Sequence, residues 1–291
     1  MLAVLPASAA AGKRRESPAR AEVERLIRES GAEVGVAFRT LDGKDELFLN
    51  ADLAMHAAST MKVAVMVELF RQARAGKLKL DDLLPVHNEF RSVVDGSAYQ
   101  LDVGDDSDAE VYRNVGQTMT LRRLCEAMIT VSSNLATNLL IEKLGVENIR
   151  RTVHKLRADG LEVRRGVQDL KAFDAGMNNT TTARALLVLL ERIARGKAVS
   201  RDASQEMVDI LEQQKFNSEI PAGVPPGLRV AHKTGSITKI RHDAAIVYAE
   251  RPYVLVVLVR GLADGKQSAT LIAAISRVVY AALETSSAAQ P

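Results

Sequence analysis

A serine and a lysine stand three residues apart at the start of a long apolar segment, in the run Ser59-Thr60-Met61-Lys62. Serine is a weak nucleophile unless a base accepts its proton, and a lysine desolvated near other cations can become that base. On a helix, this spacing places both side chains on one face, with Ser59 near the positive end of the dipole. The alternative is a capping serine followed by a surface lysine. However, Lys62 is the only charge between Thr60 and Val67, which favours the catalytic interpretation.

A second polar group, Ser132-Ser133-Asn134, separates two apolar segments. It could be a turn followed by a helix cap, because serine and asparagine favour both positions. The functional interpretation has Ser132 pass a proton to a leaving group and Asn134 hold a substrate amide. Both interpretations stay open on this motif alone.

The third group is Lys233-Thr234-Gly235-Ser236, which follows strand-like sequence. Glycine permits close backbone approach at a sheet edge, so Gly235 suits a substrate-binding strand. Lys233 would offer positive charge to a substrate carboxylate, and Thr234 or Ser236 a hydroxyl. The backbone N–H groups of Ser236 and Ser59 could together form an oxyanion hole.

Other candidate ligands are weaker. Arg241 could assist Lys233 with a carboxylate, although a solvated arginine in a turn explains it equally well. Five histidines and one cysteine occur without zinc-site spacing, so we expect neither a metal nor a cofactor. The acidic stretch 102–108 lacks the glycine-anchored pattern of a calcium loop, and we interpret it as a solvated loop.

In order, spacing and surroundings, the three groups together resemble the S-x-x-K, S-x-N and K-T-G set of penicillin-recognising serine enzymes. The chain is similar to class A β-lactamases or a close serine-hydrolase relative over most of residues 20–285. This resemblance implies an acyl-serine intermediate, with Ser59, Lys62, Ser132 and Lys233 as catalytic residues. It also implies a small-molecule substrate, either a β-lactam or a peptidoglycan-like compound.

One departure from the family pattern concerns release of the acyl group. Class A enzymes carry a glutamate, before the threonine-rich helix start, that activates the hydrolytic water. The corresponding loop here, residues 163–179, contains no glutamate. Gln168 and Asp169 lie nearest the expected place; Gln168 cannot be a base, so Asp169 is the candidate. We therefore expect acylation to be intact and deacylation to be slow.

Three functions remain open at this point. The first is β-lactam hydrolysis. The second is a D,D-peptidase or esterase-like hydrolase that β-lactams acylate. The third is a non-catalytic sensor domain, although such a domain has no need of a proton-relay lysine unless it is acylated.

The elements that must position these residues form a predicted α/β fold of the α+β type. Two early strands (33–40 and 46–50) and three late ones (230–236, 243–249 and 253–260) predict a mainly antiparallel five-stranded sheet flanked by helices. The helices between them form an inserted all-helical lobe. We expect one domain over 16–291, with the α/β lobe at about 18–55 and 200–288 and the helical lobe at about 56–199.

Composition narrows the functional classes further. The chain has 291 residues, of which 47% are hydrophobic and 26% charged, with a formal net charge of +3. Without a basic run or interleaved aromatics, nucleic-acid binding is not expected. We expect a monomer without stable membrane insertion. Residues 1–15 suit the remnant of a signal peptide or a disordered end, which predicts a periplasmic or secreted protein.

Overall fold

The computed structural model describes residues 15–288. The predicted signal-peptide remnant or disordered end, residues 1–15, lies almost entirely outside the described residues. The strands, in chain order, are β1 (Arg15–Glu16), β2 (Glu33–Thr40), β3 (Asp45–Leu49), β4 (Met55–His56), β5 (Leu83–Pro85), β6 (Phe90–Arg91), β7 (Ala98–Tyr99), β8 (Thr118–Thr120), β9 (Thr180–Thr181), β10 (Val230–Ile237), β11 (Ile240–Val247) and β12 (Tyr253–Arg260).

The helices are α1 (Arg20–Ser30), α2 (Lys62–Arg74), α3 (Glu110–Arg113), α4 (Leu121–Thr130), α5 (Asn134–Leu144), α6 (Val146–Lys155), α7 (Leu170–Asp174), α8 (Ala183–Ala194), α9 (Arg201–Glu212) and α10 (Gly265–Ala288). Single turns of 3₁₀ helix cover Ala58–Met61, Val103–Asp105 and Ile220–Gly223.

The main sheet has the strand order β1-β3-β2-β12-β11-β10. Five of its strands pair antiparallel, and β1 adds a short parallel edge. Strand β12 lies at the centre and is buried on both faces from Tyr253 to Val259, as its continuous run of β-branched and leucine side chains predicts. The predicted α/β architecture of α+β type is therefore confirmed, with β11 beginning three residues earlier than expected.

Helices cover both faces of this sheet. On one face α1 and α10 pack against residues such as Phe38, Leu255 and Val257. On the other face α8 lies directly on the sheet, and α2, α4, α5 and α9 extend the same apolar core away from it. Strand β10 is an edge strand of the sheet and contacts the 3₁₀ turn before α2, so sheet and helices meet at that edge.

One segment of α10 is unusually long and apolar. Gly265–Thr285 is long and apolar enough to span a membrane by length and composition. Half of it is buried inside the molecule, where Ile272 and Ile275 pack against the sheet. The core helix of a globular protein has these same properties.

Candidate active site

Ser59 lies in the 3₁₀ turn that leads into α2 and is half-buried. The preceding Ala58 has φ of 46°, a left-handed conformation that is strained for a residue with a Cβ. Neighbouring groups hold this turn: the Ala58 N–H donates to His56 Nδ1 at 3.0 Å, and the Ala57 N–H donates to Asn179 O at 2.8 Å. The sharp turn leaves the Ser59 side chain partly open to solvent at the N-terminal end of a buried helix.

Lys62 is the first residue of α2 and is fully buried. Its three ammonium hydrogens have three acceptors, namely Ser132 O at 2.7 Å, Ser132 Oγ at 3.2 Å and Asn134 Oδ1 at 2.9 Å. Burial lowers the pKa of Lys62 well below its ordinary value, and the charge of Lys233 lowers it further. Lys62 therefore loses its proton more readily than an ordinary lysine, and only the neutral amine can accept a proton from a nucleophile.

Ser132 occupies the turn between α4 and α5 with φ of 61°. This left-handed backbone, which is unusual for serine, directs its side chain between the two lysines. Its Oγ accepts hydrogen bonds from Lys62 Nζ at 3.2 Å and from Lys233 Nζ at 3.1 Å. A hydroxyl oxygen has two acceptor positions, so the Ser132 hydrogen remains free to be donated elsewhere.

Lys233 projects from β10 and is fully buried. Besides Ser132 Oγ, its ammonium donates to Thr234 O at 3.0 Å. Burial lowers the pKa of Lys233 to about 7, against the opposing charges of Asp243 and Glu219. Its charge is therefore sensitive to pH near neutrality, and an anionic substrate group nearby would favour the protonated form.

The edge of β10 runs directly against the turn that carries Ser59. A Cβ atom added at Gly235 would lie 3.0 Å from both Ser59 N and Thr60 N, closer than ordinary packing allows. Only glycine therefore permits this approach. Thr234 is nearly buried beside it, and Ser236 is exposed.

Arg241 pairs with Ser236 across the β10–β11 ladder, but its side chain is already engaged. Its Nε donates to Glu219 Oε1 at 2.5 Å, and Nη2 donates to Ser218 Oγ at 3.3 Å. Glu219 is almost completely buried, so the guanidinium acts as its counter-charge. The predicted assistance to Lys233 therefore gains no support from this geometry.

Asp169 requires a correction. Its Oδ1 accepts hydrogen bonds from Ser92 Oγ at 2.9 Å and Ala172 N at 3.1 Å, while Oδ2 accepts from Val93 N at 3.0 Å. The carboxylate caps α7 and fastens loop 163–179 to residues 92–93, and it is 1% exposed. With both oxygens occupied and buried, it is a structural anchor and is unsuited to activating a water.

Val167 is the loop residue fastened to the helix that carries Asn134. Asn138, one turn further along α5, accepts from Val167 N at 2.6 Å and donates to Val167 O at 3.0 Å. Sequence reasoning missed this contact because the two residues are 29 positions apart and neither belongs to a motif. The loop backbone that Asn138 holds against α5 therefore belongs to a residue with an apolar side chain.

Asp106 is the second residue that sequence reasoning missed. Its Oδ2 accepts hydrogen bonds from Asn134 N at 2.8 Å and Leu135 N at 3.0 Å, at the N-terminus of α5. The sequence predicts a solvated loop over the whole acidic stretch, and no local pattern distinguishes Asp106 from the other acids there. Within residues 15–288, no group of three or more metal-ligating side chains is found.

Known proteins resemble this chain in sequence and in fold. A model of the β-lactamase enzyme family matches residues 18–283. A β-lactamase of Bacillus licheniformis is 32% identical over 178 residues, or 59% of this chain and 58% of that protein. In sequence, the chain spans little more than half the length of the relatives it resembles at this level.

Solved structures match over more of the chain. PBP-A has a TM-score of 0.80 at 26% identity, covering 94% of this chain and 98% of that one. A leucine-to-glutamate variant of PBP-A, solved as an acyl-enzyme complex with penicillin G, matches with a TM-score of 0.81 at 26% identity, over 94% of this chain and 98% of that one. The family model covers nearly all of the described residues, and the chain therefore belongs to the β-lactamase enzyme family.

Proposed function

We propose that this protein is a serine hydrolase that opens the β-lactam amide bond through an acyl-enzyme on Ser59. The observation that carries the proposal is the buried network in which Lys62 and Lys233 both donate to Ser132 Oγ, beside the turn that bears Ser59. Two cations are costly to bury near one another, and proton transfer gives a reason to retain them.

In the proposed acylation, neutral Lys62 accepts the proton of Ser59 as its oxygen attacks the substrate carbonyl. The new C–O bond forms as the amide C–N bond breaks. The hydroxyl of Ser132, in contact with Lys62, donates a proton to the departing nitrogen and regains one from Lys62. The proton lost by Ser59 therefore ends on the leaving group, and no net charge is left in the site.

Substrate binding is assigned to Asn134 and to the edge of β10. The approach of Gly235 to Ser59 supports an oxyanion hole formed by the N–H groups of Ser59 and Ser236. Thr234 and protonated Lys233 would hold an anionic group of the substrate. Arg241 is left out of this proposal because Glu219 pairs with it.

Deacylation is proposed to be slow. The carboxylate of Asp169 is fully engaged, and Val167 offers no proton acceptor. Absence of a general base typically costs about 10²–10⁴-fold in rate. The PBP-A variant that was solved as an acyl-enzyme with penicillin G supports acylation by a penicillin in a similar fold. An enzyme that β-lactams acylate but that releases the product slowly could instead be a D,D-peptidase or an esterase-like hydrolase, which is the second candidate.

Intact-protein mass spectrometry after mixing with benzylpenicillin, followed over time, separates these functions. We expect an adduct of the mass of the intact penicillin that forms quickly and decays slowly. A permanent adduct would favour the peptidase-like candidate. Absence of any adduct would reject acyl transfer and leave the sensor function.

We also propose that the protein acts outside the cytoplasm as a monomer on small molecules. The resemblance of the N-terminal sequence to a cleaved signal supports the location. Fractionation of the native host, with detection of the protein by antibody, tests the compartment directly.

A further inference from the structure

The Asp106 carboxylate lies where the acidic segment 102–108 meets the N-terminus of α5. Its Oδ2 accepts from the N–H groups of Asn134 and Leu135, two donors that a helix cannot satisfy internally. The helix already has a cap of its own, since Ser133 Oγ accepts from Ala136 N at 3.3 Å. Asp106 therefore adds a tertiary attachment, which holds the backbone of Asn134 from 28 residues away.

This attachment leads to Lys62 in one further step, because Asn134 Oδ1 accepts a hydrogen bond from Lys62 Nζ. Three polar neighbours face that amine: Lys233 from β10, Asp106 from the acidic segment, and neutral Ser132 from the α4–α5 turn. Burial and Lys233 lower the pKa of Lys62, whereas the charge of Asp106 raises it. Asp106 thus opposes the two influences that deprotonate Lys62.

Other titratable groups face Asp106 as well. Tyr112 of α3 lies near its carboxylate, and burial first, then the negative charge of Asp106, raises the pKa of the phenol. The phenol therefore stays neutral across the working range of pH. Asp102 and Asp105 add negative charge from the same segment but are exposed, so solvent screens them more strongly.

We propose that Asp106 is a positioning residue of this site, which fixes the Asn134 amide through the α5 backbone and balances the charge of Lys62. Its catalytic consequence rests on the proposed function, but its structural and electrostatic roles do not. Without the charge of Asp106, Lys62 should deprotonate at lower pH. Without its oxygen, the first turn of α5 should open more readily.

Three variants separate charge from attachment. Asp106→Asn keeps an acceptor oxygen and loses the charge, whereas Asp106→Ala loses both. Asp105→Asn is the matched control, because it removes the same charge from the neighbouring exposed side chain. The pKa of Lys62 can be read by NMR from the Cε resonance in ¹³C-lysine-labelled protein, assigned with Lys62→Arg. Exchange of the amide hydrogens of Asn134 and Leu135 reports the attachment.

We expect Asp106→Asn to lower the pKa of Lys62 by roughly one unit, a shift typical of losing one nearby opposite charge. Asp105→Asn should move it by much less. In Asp106→Ala, exchange at Asn134 and Leu135 should accelerate by about tenfold or more, which corresponds to losing one charge-assisted hydrogen bond. If Asp106→Ala fails to fold, the shift in Asp106→Asn decides the proposal.

The catalytic consequence is read from the pH dependence of acylation by a β-lactam. Since neutral Lys62 is the base, the acidic limb of the profile should move to lower pH in Asp106→Asn by the same amount as the pKa. Equal Lys62 pKa values in Asp106→Asn and Asp105→Asn would overturn the proposal. A wild-type protein that is never acylated would reject the proposed function, while the NMR measurements would still decide the role of Asp106.

Discussion

At the scale of single residues, the hydroxyl of Ser132 is the meeting point of two buried ammonium groups. Each lysine is fully buried, and burial is the largest cause of the lowered pKa of each. The left-handed backbone of Ser132, with φ of 61°, adds conformational strain that lowers the stability of the fold. Strain and buried charge together at one point are typical of a site that gives up stability for function.

The assignment of the nucleophile leads to the first prediction. Ser59→Ala should abolish covalent labelling by a fluorescent penicillin, because the alanine side chain has no oxygen to acylate. Ser107→Ala, an exposed serine in the acidic segment, is the matched control and should label normally. Labelling of Ser59→Ala at any other residue would remove Ser59 as the nucleophile.

The two lysines should differ in their effects on kinetics. Lys62→Ala should mainly slow acylation at saturating substrate, since it removes the proton acceptor. Lys233→Ala should mainly weaken recognition of substrates that carry a carboxylate. Comparing kcat and KM for an anionic β-lactam and a neutral ester measures this division. Equal losses of both variants on the neutral ester would refute it.

A pH-dependent stability follows from Lys233. When unfolded, this lysine regains the pKa of 10.5, so between about pH 7 and 10.5 the unfolded chain binds more protons than the folded one. Stability therefore rises with pH across this window, and the cost of the buried charge is greatest below it. We expect Lys233→Met to raise Tm at pH 6 by roughly 2–4 °C.

This gain should shrink as the pH rises from about 7 and should vanish above 10.5, where Lys233 is neutral in both the folded and the unfolded chain. Differential scanning calorimetry at several pH values measures the effect, with Lys239→Met as the exposed control. A gain for Lys233→Met that does not change with pH would contradict the proposed cause.

At the scale of elements, loop 163–179 is held at several points. Near its two ends, the side-chain amide of Asn179 exchanges hydrogen bonds with the backbone of Arg165. Between them, Asp169 bonds to Ser92, and Asn138 of α5 bonds to the backbone of Val167. These bonds fix the backbone of Val167 against α5, the helix that begins at Asn134.

The same loop shows where sequence reasoning stops. The motifs around Ser59, Ser132 and Lys233 could be recognised because each is local, and the strands around them have clear patterns of apolar residues. The contacts of Asp106 and Val167 join segments about 28 and 29 residues apart. The role of Asp169 could not be predicted for a related reason. Its position in the loop suggests a general base, whereas its hydrogen bond with Ser92, 77 residues away, shows that it holds the loop in place.

An element-scale prediction concerns position 167. Because Asn138 fixes the backbone there, Val167→Glu should add a carboxylate beside α5 without moving the loop. Deacylation should then accelerate by about 10²-fold or more, within the usual contribution of a general base. Val167→Gln, of similar shape but without basicity, is the matched control. Equal deacylation rates in the two variants, measured by decay of the penicillin adduct, would contradict the prediction.

At the scale of the whole molecule, the site forms where distant parts of the chain meet. Strand β10 comes from the C-terminal half, while the turn carrying Ser59 and the α4–α5 turn come from the helices inserted between β3 and β10. The turn carrying Ser59 also brings Lys62, the α4–α5 turn brings Ser132, and β10 brings Lys233, so none is complete alone. Such an assembly makes acylation depend on the intact fold, and it leaves deacylation to loop 163–179.

The most direct test of this account is pre-steady-state hydrolysis of a chromogenic cephalosporin. Fast acylation at Ser59 followed by slow release predicts a burst equal in amplitude to the enzyme concentration, and then a slow linear phase. The burst should be absent in Ser59→Ala. Fast linear turnover from the first milliseconds, without a burst, would contradict the claim that the acyl-enzyme accumulates.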